Sequence, residues 1–406
     1  MYYLCAILEQ TMSHTNNKIQ GYIIRLLFLL TYAALASWLS YFYIYLKEVP
    51  QLNTLQIGII AGFQQFNTVF VVPIWGLLSD KFGRKRMLLT SVGMTLLLIP
   101  GFLLWDGPLG FTLFMILLTL FYNPIMSLLD TVALDYEEQS GGKTSFGQIR
   151  LFASLGWASS SLLTGMFIDK EHLSYIFLIA PLLLLAMWSV MLAFYRPLKV
   201  TKSLSSLKPV VIKHLLQAER KLLLFLLLIF LYSVFTAPVY LIINVYYHEL
   251  GAPNSIIGLA FAVQALSELP FFFFGKKLID RFGASRIFLF TMTATAVRML
   301  AYGFTSNPEV AVGIGVIHGI SIGLFFVSIV AFVHAIVPAQ LRSTGQSLIH
   351  TFYAGGVAFG NIFTGLLDNF ISVKTTMWIN GTVVLVLVTV VIIYTRSPLY
   401  IKHQNS

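Results

Sequence analysis

The stretch "GLLSDKFGRKRML" (76–88) sets one acid and four cations in a single turn between long apolar runs. A weaker copy, "KKLIDRFGASRIF" (276–288), returns 200 residues later, with Asp80, Gly83 and Arg86 matched by Asp280, Gly283 and Arg286 at the same internal spacing. A charged turn between apolar runs reads as a hairpin held at one membrane face, and a copy at fixed offset reads as an internal duplication.

The composition agrees. Of the 406 residues 57% are hydrophobic and only 10% charged, whereas a soluble chain carries about 25% charged residues. A crossing of about 30 Å needs roughly 20 mostly apolar residues. Twelve segments meet that length: about 22–46, 55–79, 87–105, 109–134, 146–168, 173–195, 221–247, 254–275, 285–305, 309–334, 343–367 and 375–395. The polar stretch 196–220 divides them six and six. The expected fold is all-α and polytopic, with twelve transmembrane helices in two pseudo-symmetric six-helix bundles, 1–195 and 221–406, joined by a cytosolic central loop at 196–220. Within that loop "VVIKHLLQA" has the pattern of a short surface helix. A second echo supports the duplication: "FGQIRLFASLGWASSSLLTGMFID" (146–169) opens the fifth span and "TGQSLIHTFYAGGVAFGNIFTGLLD" (344–368) the eleventh.

Lysine and arginine set the orientation. With both termini cytosolic, 20 of the 26 cations lie in cytosolic segments; Lys47, Lys170 and Lys374 fall outside, and Arg25, Arg150 and Arg298 within spans. The net charge of +10 is therefore a matter of topology and does not call for nucleic acid. The N-terminal residues lack a basic leader with a cleavage site, so no cleaved signal peptide is expected. A single cysteine, Cys5, excludes an internal disulfide. No G-x-x-x-x-G-K-[ST] loop, metal-ligand spacing or large extramembrane segment is present, so the expectation is a protein that is not an enzyme and holds no cofactor or metal.

Ionisable groups inside spans are costly and normally line a polar site. Here they are Asp130 in span 4, Arg150 one turn into span 5, Glu268 in span 8, Arg298 in span 9 and His318 in span 10. Gln264 shares a face with Glu268, and Pro270 loosens the backbone nearby. Asp130 and Arg150 also admit a purely structural ion pair. His334 and His350 read as structural. The aromatic cluster "WLSYFYIY" (38–45) reads as an interfacial belt, with a solute-facing wall as the alternative.

The hairpin pattern G-x-x-x-D-x-x-G-R-[KR]-[KR], carried by Gly76, Asp80, Gly83, Arg84, Lys85 and Arg86, resembles that of the major facilitator superfamily. "FGQIRLFASLGWA", "ALSELPFFFFGKKL", "AVRMLAYG" and "IHGISIG" resemble the fifth, eighth, ninth and tenth helices of its proton-symporter branch, which contains lactose permease and the phenylpropionate permeases. The resemblance implies that Asp130 and Arg150 bind solute, Trp157 stacks on it, and Glu268, Arg298 and His318 couple binding to protonation. It implies a gating role for the two hairpins (Gly76, Asp80, Gly83, Arg84 and Arg86; Asp280, Gly283 and Arg286), with Asp80 pairing to a cation or helix terminus. Two positions depart from the lactose-type pattern: Ser321 stands where an acid follows the histidine by one turn, and the span-4 acid is Asp.

The function expected is proton-coupled symport of a small organic solute into the cell by alternating access, by a functional monomer in the plasma membrane. Its partners are the solute, protons and the bilayer. A sugar, glycoside or nucleoside is favoured because acids and arginines are equal in number; an aromatic-acid permease and a drug–proton antiporter are the alternatives.

Overall fold

The computed structural model describes residues 2–141, 144–169, 171–197, 220–337, 342–368 and 370–396. Most of the central loop, with the expected surface helix, lies outside the described residues. Helices occupy all twelve expected spans: α1 (Tyr2–Glu48), α2 (Thr54–Phe82), α3 (Arg84–Leu98, prolonged by a 3-10 turn at Ile99–Leu104), α4 (Gly107–Gln139), α5 (Phe146–Phe167), α6 (Ile176–Phe194), α7 in three pieces (Arg220–Thr236, Pro238–Leu241, Ile243–Glu249), α8 in two (Asn254–Ser267, Leu269–Phe282), α9 (Ala284–Phe304), α10 (Pro308–Ile336, with irregular turns inside), α11 (Arg342–Asp368) and α12 (Val373–Arg396). Nine of these spans, among the described residues, are long and apolar enough to cross a membrane. The exceptions are α5 and α11, which carry polar residues into the interior, and α7, which is broken at Ala237 and Ile242.

Local chemistry fixes the ends that matter. Asn53 and Gln56 form a reciprocal capping box at the start of α2, and Ser145 and Gln148 form another at the start of α5, satisfying backbone donors that the first turn leaves free. The second box fixes Arg150 one turn into α5. Both hairpins turn on a glycine: Gly83 has φ 91° and ψ 137°, Gly283 φ 84° and ψ 147°, conformations that a side chain disfavours. The N–H of Gly83 donates to the Ser79 carbonyl (2.9 Å) and that of Gly283 to the Ile279 carbonyl (2.7 Å).

The two halves meet unevenly. One buried apolar cluster fills the N-terminal half and continues into the C-terminal half only at the end remote from the hairpins, through Val239, Tyr246, Tyr247, Met299, Tyr302 and Met377. A second cluster, around Leu226, Phe288, Phe325 and Val384, stays within the C-terminal half at the hairpin end. At the far end glycines allow backbone contact. A Cβ on Gly58 would strike the Asn361 carbonyl, one on Gly165 the Asn254 carbonyl, and one on Gly258 the Ser161 carbonyl. Tyr41 donates its hydroxyl to the Ser161 carbonyl (2.6 Å), and Lys47 of α1 pairs with Glu249 of α7 at 2.6 Å.

Most of the aromatic cluster of α1 is packed inside the protein rather than set at a membrane interface. Trp38, Tyr41 and Phe42 are fully buried; Trp38 and Phe42 meet edge to face at 5.2 Å, and Phe102 and Phe177 close on Phe42. The reason is position: α1 packs against α5 and α6 and reaches α7, so most of its outer half faces protein, with Tyr43 partly accessible.

Candidate functional site

Arg150 of α5 donates through Nη1 to Asp130 Oδ1 of α4 at 2.9 Å, and its guanidinium lies over the ring of Tyr32, 4.9 Å from the centroid. Both members keep about a third of their side chains accessible, 27% for Arg150 and 33% for Asp130. A partly accessible ion pair on the hairpin side of the interior is suited to exchanging contacts with a hydroxylated ligand. His350 of α11 lies within electrostatic reach of Asp130 from the other half.

Four residues further along α5, Ser154 donates its hydroxyl to Glu268 Oε2 at 3.3 Å. Glu268 stands at the break between the two pieces of α8, beside Pro270, which brings no backbone donor. The other carboxylate oxygen, Oε1, lies 3.0 Å from His318 Nε2. His318 Nδ1 is 2.8 Å from Arg298 Nη1, which also donates to Ser321 Oγ (3.2 Å), while Arg298 Nη2 donates to Gln264 Oε1 (2.8 Å).

This chain fixes the tautomer of the histidine. A guanidinium has donors only, so Nδ1 accepts and carries no proton; the ring proton therefore sits on Nε2 and donates to Glu268. An imidazolium would set an N–H against Arg298, so protonation falls to the carboxylate while that contact stands. Arg298 itself is fully buried, and the hydrogen-bond acceptors of its two Nη groups are neutral. It reaches Glu268 only by way of His318.

The backbone around His318 departs from the regular helix expected of span 10. A 3-10 turn (Gly315–Ile317) precedes it and a π-helical turn (Gly319–Leu324) follows. Gly319 lies against the Ser267 carbonyl and the Phe271 ring, where a Cβ would collide, and Gly323 lies against Glu268. The wide turn of α10 thus nests into the break of α8 and brings His318 to Glu268. Such π-turns are frequent at functional sites. Trp157 is half-buried at the α5–α8 contact, packed on Ala158, Ala262 and Ala265. The interior amides Asn67 and Asn123 bond to Thr119 and Thr68 on facing helices, and Gln64 accepts from Tyr43, as expected of packing contacts.

At the hairpin Asp80 is exposed and lies within electrostatic reach of Arg84. Arg84, the hairpin cation that turns inward, forms its ion pair with Asp135 of α4 and donates to the Thr131 carbonyl at 3.1 Å. Lys85 Nζ closes the end of α6 by donating to the Leu192 (3.1 Å) and Tyr195 (2.6 Å) carbonyls. Arg86, Asp280 and Arg286 are not buried, and no neighbour restricts Gly76. Sequence reasoning passed over Tyr32, Ser154 and Asp135. Of these only Ser154 carried a signal, its place between Arg150 and Trp157 on one helical face.

Twelve helices in two related bundles, with a polar network at their mid-depth contact, define a polytopic membrane transporter rather than an enzyme. The chain belongs to the MFS_1 like family, whose model matches residues 22–378. It is similar to the maltose permease of Geobacillus stearothermophilus, 28% identical over 352 residues and covering 85% of this chain and 86% of that one. It is also similar to the putative nucleoside transporter YegT of Escherichia coli (strain K12), at 25% identity over 317 residues, 69% of this chain and 71% of that one. The fold matches the crystal structure of the nucleoside transporter NupG with a TM-score of 0.81 at 15% identity, over 93% of this chain and 99% of that one.

Proposed function

We propose that this chain is a proton-coupled symporter that imports a small, neutral, hydroxylated solute (a sugar, glycoside or nucleoside) by alternating access. The observation that carries the reading is two sets of polar contacts carried side by side by α5: Arg150 with Asp130 in one half, and, one turn on, Ser154 with Glu268, which leads to His318 and Arg298 in the other. Asp130, Arg150 and Trp157 hold the solute. Glu268 takes the proton, oriented by His318 and, behind it, Arg298. A neutral solute leaves the Asp130–Arg150 charge balance intact, and Trp157 stacks on the apolar face of a ring. The names of the relatives, a maltose permease and a nucleoside transporter, support that solute class.

In this reading residues 1–195 and 221–406 are the two moving bundles, and the hairpins, the central loop and both termini face the cytosol of a plasma-membrane monomer. The conformer is open toward the hairpin end, since the far end is sealed while Asp130 and Arg150 keep accessible surface. The two hairpins bias inward against outward states without touching solute.

The test is uptake into vesicles under an imposed proton gradient, offering maltose, melibiose, uridine and 3-phenylpropionate. Uphill uptake of a sugar or of uridine, collapsed by a protonophore, is expected. Uptake of phenylpropionate alone, or uptake indifferent to the proton gradient, overturns the assignment.

A further inference from the structure

We infer that Ser154 is the residue through which solute occupancy reaches the proton-carrying carboxylate of Glu268, so that solute and proton load together. The inference rests on the symporter reading above. Arg150, Ser154 and Trp157 stand at i, i+4 and i+7 of α5 and share one face. A solute held by Arg150 at one end and Trp157 at the other must lie across Ser154.

The Ser154 hydroxyl is used differently from those of its neighbours. Ser159 and Ser161, on the same helix, return their hydroxyls to the carbonyls of Leu155 (2.8 Å) and Ala158 (3.2 Å), the usual habit of helical serine. The Ser154 bond crosses to the other half and ends on Glu268 Oε2 at 3.3 Å, although Ser154 is only 5% exposed. Among the described residues, Lys47–Glu249 and the bond from Asn254 Nδ2 to the Ile168 carbonyl join the halves at the far end. Ser154–Glu268 joins the halves at the site itself.

The groups facing Glu268 limit what it can do. His318 occupies Oε1. Arg150 and Tyr32 lie within electrostatic reach, but Arg150 is engaged by Asp130 and Arg298 stands behind His318. His350 faces Asp130 rather than Glu268. The two groups bonded to this half-buried carboxylate are therefore neutral donors, and withdrawing one of them weakens what holds its charge. A solute oxygen that accepts the Ser154 hydrogen withdraws one donor. Oε2 then takes a proton from water at the hairpin side and becomes O–H, able to donate to the solute or back to Ser154 Oγ. By linkage, solute raises proton affinity by the factor by which the proton raises solute affinity.

The experiment uses the full chain in weakly buffered detergent solution, with radiolabelled maltose and uridine as probes. Solute binding is followed by equilibrium dialysis and proton uptake by a pH indicator. In the parent, solute addition draws protons from solution, and acidification from about pH 8 to about pH 6 tightens solute binding about tenfold, the size of one hydrogen bond to a charged group. Ser154→Ala is expected to bind solute, weakened several-fold by the lost hydroxyl contact, without proton uptake and with affinity flat in pH; Ser154→Thr, which keeps a hydroxyl, is expected to restore proton uptake and the pH dependence. Solute-linked proton uptake in Ser154→Ala equal to the parent overturns the inference. So does loss of binding in that variant, which assigns Ser154 to affinity alone, and so does loss of coupling in both variants, which assigns it to packing. Failure of the parent to bind either probe overturns the functional reading, and this inference with it.

Discussion

Gly83 and Gly283 hold nearly the same left-handed backbone, φ 91° and 84°, at the two hairpins 200 residues apart. Each ends one helix and starts the next with no residue between. A non-glycine residue at such an angle costs about 1–3 kcal/mol. Nothing crowds either position, so the cost is conformational. Gly83→Ala is expected to lower thermal stability by that amount and to slow turnover while leaving solute affinity within about twofold of the parent. Thermal unfolding in detergent, with transport rate and solute binding measured on the same sample, checks it. A loss of affinity with normal turnover would remove the hairpin from gating.

Glu268→Gln keeps the shape of the carboxylate and an acceptor for His318 while removing the titratable group. Uphill accumulation is expected to vanish and solute exchange across the membrane to persist. Comparing the two in the same vesicles is the measurement. Uphill uptake at the parent level would take the proton away from Glu268.

Arg150 offers a planar fork to Asp130 and a flat face to Tyr32. Lysine keeps the charge but neither the fork nor the stacking. Arg150→Lys is expected to weaken solute binding by about ten- to hundredfold, the range of one charge-assisted hydrogen bond, and Arg150→Ala by at least as much. Parent-like transport by the lysine variant would reduce Arg150 to a structural partner of Asp130.

Arg84 and Asp135 are largely buried, with side chains 9% and 11% exposed. Removing one partner of a buried pair costs about 3–5 kcal/mol because the other charge is stranded. Arg84→Gln and Asp135→Asn should each destabilise by that order, and the double variant by much less than the sum. A double-mutant cycle on thermal unfolding reads the coupling; additive losses would mean that the pair is not an energetic unit.

The hairpin copy made the twelve-helix duplicated fold legible, because a charged turn between apolar spans admits few other readings. The site charges were legible for the same physical reason: Asp130, Arg150, Glu268, Arg298 and His318 stand out against hydrocarbon. What stayed hidden depends on three-dimensional neighbours. Tyr32 sits in a span rich in apolar and aromatic residues, and nothing in sequence separates a ring under a guanidinium from one in the core. Asp135 stands just before Glu137 and Glu138 and reads as part of a solvated acidic end, yet Arg84 draws it inside. The π-turn after His318 arises from the fit of Gly319 and Gly323 against α8, a contact between residues about fifty apart in the chain. The aromatic run 38–45 is ambiguous in sequence because amphipathic rings suit both an interface and a core, and only the placement of α1 buries Trp38, Tyr41 and Phe42.

The glycine contacts at the far end have a consequence for energy conservation. A carrier driven by a proton gradient dissipates that gradient through any file of water joining its two sides. Where Gly58, Gly165 and Gly258 press on carbonyls of the opposite half, the gap cannot hold a Cβ and so cannot hold a water. Backbone laid on backbone insulates the membrane at this point. The Lys47–Glu249 pair and the bond from Asn254 to the Ile168 carbonyl lie at the same end, so parting this insulation means breaking those bonds as well as separating backbone from backbone.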